Sequence, residues 1–480
     1  MVSEFGNFPG VRITTAGGGI TAVTIGEEEK LVLFGAADYG ADGAFGGTVD
    51  SINGEASPES PEQINARQEA DLYFGQGSRL AQGMKSARAN GANIDFLYAV
   101  APDRVNVSGE IGSADTGTLD NAPMYEDNVT NEEDIVNVEV TDDGALLDVQ
   151  FRYDGTPETP TAEETVLINP LTGEYAADAA PDVEYSFDYK YLDWESVLGA
   201  SEVQNLVNED ETAIFAPMTD ADGAALTVDG VVEDMREDYQ LVNIVDGAEP
   251  NDNRIETVDG DALADDYGNY QRTDAGYDPL NYDTANQSVD SDYHFRFAPV
   301  RHIDEKRTII PSIGGLFAGN SINDPIYNET LLGISGIEQQ FTRTDAENMR
   351  DEYVIPVREN GSIRVKDNLS TSSETDWERD FWRRRITDRV VLISKQIGDS
   401  IIGKINDEQT RASAERLISS EMRQLANDRL IRPNVDDEEE PNWFVDVYES
   451  TDNPNEVKID IGFTPYGIVK RVPVSITINT

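Results

Sequence analysis

The sequence predicts a multidomain protein of mixed α/β and α+β architecture with an extended strand arm at each end, on three observations. Between positions 30 and 100 an apolar strand, two helical segments and a second apolar strand follow one another, the order of a βαβ unit with a partly parallel sheet. The last third carries two long amphipathic helices followed by a strand pair. Both tails alternate apolar and polar residues like strands that have nothing beside them in sequence to pair with.

Taken in order, the N-terminal arm (1–29) holds Phe8 to Thr14, where Val11 and Ile13 alternate with Arg12 and Thr14. The first part of the α/β domain (30–100) comprises the strand Lys30 to Phe34, helices over Ser60 to Leu72 and Gly77 to Asn90 with Gly91 as the cap, and the strand Ile94 to Val100. A β domain is inserted over 101–182, with strands at Ile135 to Val140, Ala145 to Tyr153 and Glu164 to Ile168 and a hairpin turn at Asp143-Gly144. The α/β domain resumes over 183–320. It has a helix over Leu192 to Val207, a strand at Thr212 to Pro217, a helix over Val228 to Arg236, and strands at Tyr239 to Val245 and His294 to Arg301. Gly247 to Asp292, acidic and rich in Asn and Gly, reads as a solvated loop.

An α+β module spans 321–465. Thr375 to Glu378 forms a capping box, and the stripe Trp377, Phe381, Ile386, Val390, Ile393, Ile397, Ile401 and Ile405 follows on one helix. The next helix, Glu408 to Leu430, turns Leu417, Ile418, Met422 and Leu425 inward, and Trp443 to Glu449 and Glu456 to Phe463 make a hairpin. The C-terminal arm (466–480) ends in a strand that places Val472, Val474, Ile476 and Ile478 on one face. Pro473 cannot donate to a ladder, which suits an added or edge strand. Both arms therefore read as donors for strand addition to another chain.

Composition narrows the function. The 480 residues carry 36 basic and 93 acidic side chains, a net charge of −57. Such repulsion opposes compaction at physiological ionic strength and is screened at molar salt, so the chain reads as halophilic. Of the basic residues 9 are Lys and 27 Arg, and Arg keeps ion pairs better because its guanidinium is weakly hydrated. A hydrophobic content of 38% with 16 Phe and 19 Tyr argues against disorder. The acidity disfavours duplex nucleic acid as a partner, because basic residues supply most of that affinity. No secretory leader is read at the N-terminus, and Ile309 to Ala318, the longest apolar run, is too short to enter a membrane as a span.

The residues of common active sites are missing. Without cysteine there is no thiolate nucleophile or thiolate zinc site. Gly17 to Gly19 and Gly75-Gln76-Gly77-Ser78 do not continue into a phosphate loop. His294 and His302 are the two histidines, about 26 Å apart if they share a strand. Ser335 lacks nucleophile-elbow spacing, and the calcium-like start at Thr219 loses its next oxygen ligand to Gly223 and Ala224. No enzymatic activity, cofactor or metal is expected. Arg379, Arg383, Arg384, Arg385 and Arg389 crowd one helix start in an otherwise acidic chain. They read either as ion pairs with the protein's own carboxylates or as a basic patch facing the acidic surface of a neighbour or tube.

Several short blocks taken together resemble the tail sheath proteins of contractile phage tails and injection machines. They are Phe8-Pro9-Gly10-Val11, Phe74-Gly75, Asn90-Gly91-Ala92, Asn169 to Glu174, Tyr191 to Trp194, Ala298 to Arg301, Pro311 to Gly319, and the aromatic and arginine residues of Trp377 to Arg385. The acidic loop Gly247 to Asp292 and the connector Asp436 to Glu440 have no counterpart in that pattern. The resemblance implies a homo-oligomer of hexameric rings stacked around a tail tube protein, bounded by baseplate and terminator proteins. Strand exchange through Pro9, Gly10, Val11 and Ile13 at one end and the C-terminal strand at the other would hold the rings together as they contract. It implies a place in a virion tail or an injection-machine sheath, assembled in the cytoplasm of a high-salt host. A surface-layer or adhesin-like protein is the alternative, and a halophilic hydrolase a more distant one.

Overall fold

The computed structural model describes residues 29–37, 52, 54–63, 69–76, 78–120, 138–151, 159–160, 165–168, 173–181, 184–206, 212–218, 240–246, 294–297, 309–334, 354–355, 357–359, 362–365, 368–370, 380–432, 442–451 and 453–467. Residues 1–28 of the N-terminal arm and 468–480 of the C-terminal arm, the helix expected at Val228 to Arg236, the acidic stretch Gly247 to Asp292, His302, the Thr375 capping box and Arg379 lie outside them.

The central layer starts with β1 (Lys30–Phe34), whose five residues KLVLF are all buried. A short β2 (Glu62–Gln63) pairs antiparallel with β3 (Leu97–Val100), and β3 runs parallel to β1. A β layer follows, built from β4 (Asp103–Gly112), β5 (Thr116–Thr118), β6 (Val138–Asp142), β7 (Ala145–Leu146), β8 (Asp148–Phe151), β9 (Thr165–Ile168), β10 (Glu174–Ala177) and β11 (Tyr185–Asp193). The chain then returns to the central sheet as β12 (Thr212–Pro217), β13 (Gln240–Asp246), β14 (His294–Phe297) and β15 (Val354–Ile355), and β16 (Val357–Glu359) pairs antiparallel with β17 (Ile363–Val365) after it. The sheet order is β15-β14-β13-β12-β1-β3-β2, parallel except for β2.

Continuous apolar runs suit such strands because both faces are covered. Leu31, Leu33, Leu97, Ala99, Ile214 and Ala216 pack on one side with the helices Arg79–Ala89 and Ile310–Gly319. Val32, Phe34, Val100, Ala213 and Phe215 face the other way, onto Val197, Leu198 and Val203 of the short helices Trp194–Gly199 and Ser201–Gln204. The helices of the first face approach unusually closely. A Cβ on Gly315 would lie 2.6 Å from the Ala87 Cα, and one on Gly319 would lie 2.6 Å from the Gly91 Cα. Only glycines permit that contact. Asn90 then ties the layer to the segment beyond: its Oδ1 accepts from Leu332 N–H at 2.6 Å and its Nδ2 donates to Leu332 O at 3.0 Å.

The β layer consists of two sheets, β5-β10-β9-β8 and β4-β11-β6-β7, which share one core of Val140, Val166, Ile168, Tyr175, Tyr185, Phe187 and Tyr189. Asp143 and Gly144 turn between β6 and β7 with φ of 46° and 82°, the positive angles of a two-residue hairpin. β11 lies beyond position 182, where the expected insertion ends, yet pairs along its length with β4.

Three helical expectations are corrected. Residues 62–63 form an edge strand instead of the helix expected from Ser60, and the helix begins at Glu69. Glu62 and Gln63 pair instead with Ala99 and Tyr98 at the edge of the sheet, a tertiary contact that overrides the local helical pattern. Leu192 still belongs to β11, which runs to Asp193; the helical stretch after it starts at Trp194 and breaks at Ala200, whose ψ is 134°. The first long C-terminal helix runs Phe381–Ile401 with Asp380 as N-cap, and Ile405 falls past its end, 79% exposed. Gly403 at φ +76° ends that helix. Conversely Ile309 to Ala318, expected only as an apolar run, is a buried helix with Pro311 in its first turn.

Candidate functional site

The C-terminal module is a hairpin laid on two helices. Asp380 accepts from Trp382 N–H and Asp407 from Thr410 N–H, so both Phe381–Ile401 and Glu408–Asn427 start with capped, acid-bearing N-termini. Ile386, Val390, Ile393 and Ile397 of the first helix meet Ala414, Ile418, Met422 and Leu425 of the second. β18 (Trp443–Glu449) and β19 (Val457–Phe463) pair antiparallel over their full length. Trp443, Val445, Val447, Ile459, Ile461 and Phe463 turn toward the helices. Phe444, Tyr448, Asp460 and Gly462 occupy the alternate face.

On that outer face Phe444 is 59% exposed. Its ring covers Gly462, where a Cβ would lie 2.8 Å from the Phe444 Cζ. Tyr448 donates its hydroxyl proton to Asp460 Oδ2 at 2.8 Å, and that hydrogen bond raises the pKa of the hydroxyl. Among the described residues neither edge of the hairpin has a strand beside it. A two-stranded sheet is marginal by itself and its bare edges are templates for another strand. Here the helices supply the stability, and among the described residues both edges remain open.

The described chain is firmly anchored at both of its ends. After β19, Thr464 O accepts from Arg432 N–H at 2.8 Å and Tyr466 N–H donates to Leu430 O at 2.9 Å. The receiving segment is itself turned by Arg429, a non-glycine at φ +62°, with Leu430 N–H bonded back to Leu425 O in the manner of a helix C-cap. At the other end Glu29 precedes β1, and its Oε1 accepts from Arg385 Nε at 2.8 Å. Burial raises the Glu29 pKa; the attraction and hydrogen bond of Arg385 oppose this, and Asp388 adds to it.

The expected arginine cluster divides by helix face. Arg384 bridges Asp388 one turn on, with Nη2 to Oδ1 at 2.7 Å and Nε to Oδ2 at 3.0 Å. Arg385 points to Glu29, and both arginines are buried. Arg383 and Arg389 are half-buried. Arg379 and the strand-exchange residues Pro9, Gly10, Val11, Ile13, Val472, Val474, Ile476 and Ile478 lie outside the described residues. Sequence reasoning missed Glu29, whose partner lies 356 positions away; no local pattern signals such a pair.

The place where a doubly wound sheet holds ligands is filled. The strand order reverses beside β1, between β3 and β12, and the crevice outside those carboxyl ends is the usual binding site. Met218 occupies it, 4% exposed, its N–H bonded to Phe34 O and its Sδ 3.1 Å from where a Gly35 Cβ would stand. Among the described residues there is no cluster of three potential metal ligands, and no helix is long and apolar enough to cross a membrane.

This mixed α/β fold with several small sheets is similar to that of contractile sheath chains. The chain is similar over 98% of its length to a chain of the anti-feeding prophage (AFP) helical sheath in its contracted state, covering 98% of that chain at 12% identity with a TM-score of 0.55. A chain in the six-fold symmetrised AFP baseplate matches at 12% identity and a TM-score of 0.54, covering 98% of this chain and 99% of that one. A chain of an extracellular contractile injection system, the PVC sheath complex in its contracted state, matches at 12% and 0.53 over 98% and 97%. No family model matches the sequence, and no curated protein does.

Proposed function

We propose that this chain is the structural subunit of a contractile tail sheath. Subunits assemble as hexameric rings stacked around a tail tube, between a baseplate and a terminator, and no cofactor takes part. The observation that carries the reading is the hairpin of β18 and β19, held on its helices with no strand beside either edge among the described residues, in a chain whose two tails alternate like strands in sequence. Strands donated by neighbours complete that sheet through main-chain hydrogen bonds. Tails that leave from fixed anchors then link subunits while the bodies turn past one another. Contraction follows if the extended lattice is the less stable of two states. Arg383 and Arg389, with Arg379, are the candidates for contact with the tube or a neighbour. A net charge of −57 supports a working assembly in concentrated salt, where the repulsion is screened.

The test is a chain lacking residues 468–480, compared with the full chain by size exclusion and negative-stain microscopy in molar salt. The full chain forms tubes, and the shortened chain stays a folded, soluble monomer. Normal tubes from the shortened chain would refute strand donation by that arm.

A further inference from the structure

Arg385 joins three parts of the chain that are remote in sequence. It lies early in the Phe381–Ile401 helix with a side chain 3% exposed. Its Nε donates to Glu29 Oε1 at 2.8 Å, its Nη2 to Asn320 O at 2.8 Å and its Nη1 to Ser321 O at 3.4 Å. The guanidinium carbon stands 5.8 Å from the centre of the Phe381 ring. Phe381 in turn stacks on Phe317 at 4.0 Å, inside the α/β core. The arginine is thus fixed from several sides before it meets Glu29, and Asn320 and Ser321 are the residues that follow the buried Ile310–Gly319 helix.

Glu29 is the last residue before β1, where residues 1–28 join the body. Its side chain is 11% exposed, and its second oxygen, Oε2, is buried without a hydrogen-bond partner among the described residues. A carboxylate so placed depends on the one guanidinium that faces it, because a buried charge without a partner is expensive. Rotation of the chain about Glu29 would break that pairing, so the junction is held on the outside as firmly as the β1 ladder holds it within.

We propose that Arg385 is the positioning residue of the N-terminal arm: by gripping Glu29 it sets the direction in which residues 1–28 leave the subunit. This rests on the strand-exchange reading above. A donor strand enters an acceptor sheet in one register, since a slip of one residue turns its apolar face outward. A fixed departure direction narrows where the strand arrives. A lysine cannot replace the arginine, because one ammonium cannot present the planar fork that meets a carboxylate and two carbonyls together.

The test uses the full chain in molar salt, with Arg385→Lys and the double variant Glu29→Leu/Arg385→Met. The double variant removes both charges and keeps apolar volume, so it leaves no orphaned ion to unfold the subunit. Thermal melting of the monomer reports folding, and cryo-electron microscopy of tubes reports subunit twist. The expected result is that both variants polymerise, with a spread of twist about twofold wider than wild type, as when a fixed joint becomes a flexible one. Uniform wild-type twist in the double variant overturns the proposal, whatever the melting temperature does, because the pair then has a structural role alone. A wild-type chain that forms no tubes sinks the sheath reading itself, and this proposal with it.

Discussion

Substituting Gly315 by Ala should separate two effects that usually travel together. In a helix interior, alanine is favoured over glycine by about 1 kcal/mol. At Gly315 the added Cβ would stand 2.6 Å from the Ala87 Cα and 2.7 Å from the Ala87 carbonyl carbon, both main-chain atoms that no side-chain rotation can move aside. Either the two helices separate, opening the packing over β1 and β12, or the clash persists. Overpacking of this kind costs up to about 3 kcal/mol, which leaves Gly315→Ala destabilised by about 2 kcal/mol after the helical gain. Gly398, inside the Phe381–Ile401 helix, is the matched control, since its nearest prospective contact is Ile459 Cδ1 at 3.9 Å. Gly398→Ala should therefore stabilise by up to about 1 kcal/mol. Amide hydrogen exchange read by mass spectrometry localises both effects. Peptides covering 310–319 should exchange about thirtyfold faster in Gly315→Ala, the factor that corresponds to about 2 kcal/mol. Equal or slower exchange there would refute the close-contact argument.

Other outcomes follow from the same contacts. Replacing Asn90 by Ala strips both hydrogen bonds from the Leu332 peptide and should cost about 2 kcal/mol, read as earlier loss of the α/β domain in a urea titration; an unchanged midpoint would show that water substitutes for the amide. The Glu29 carboxyl titrates above its ordinary value of 4.5, so its contribution is fully present below that value and is lost as pH rises through the raised one. The stability of wild type relative to Glu29→Gln, which cannot titrate, should thus shift in favour of wild type as pH falls from 7 to below 4.5. A flat difference, or a shift the other way, contradicts the burial of that group. Shortening the chain at residue 467 should remove tubes without altering the melting of the subunit.

What the sequence discloses depends on how local the cause is. KLVLF at Lys30–Phe34 is buried throughout because helices cover both sheet faces, and a run of apolar residues reports that directly. The Asp143-Gly144 turn and the stripe Ile386, Val390, Ile393, Ile397 are equally plain, since turn chemistry and helical period are short-range. The helix Ile310–Gly319 escaped assignment for the opposite reason. Every residue from Ile310 to Ala318 is buried, so no polar face marks the period. The arginine cluster was visible as composition, but which members turn inward depends on Glu29 and Asn320, brought close only by the fold.

That distinction explains how a chain at 12% identity can keep the architecture of the AFP sheath chain over 98% of its length. Buried strands require apolar side chains rather than particular ones, so cores of equal volume and pattern can be filled by different residues. Backbone pairing is more tolerant still, since strand addition to β18 or β19 would use N–H and C=O groups that every residue but proline offers. An assembly based on such contacts would allow the exposed side chains to drift, and this chain carries a net charge of −57. On the proposed strand exchange, what could not drift is the geometry that would deliver the strands: the hairpin register, the Leu430 contact before the C-terminal arm, and the Arg385 grip on Glu29. If the chain assembles as proposed, these fixed points are where a single substitution would disturb the lattice while leaving the subunit folded.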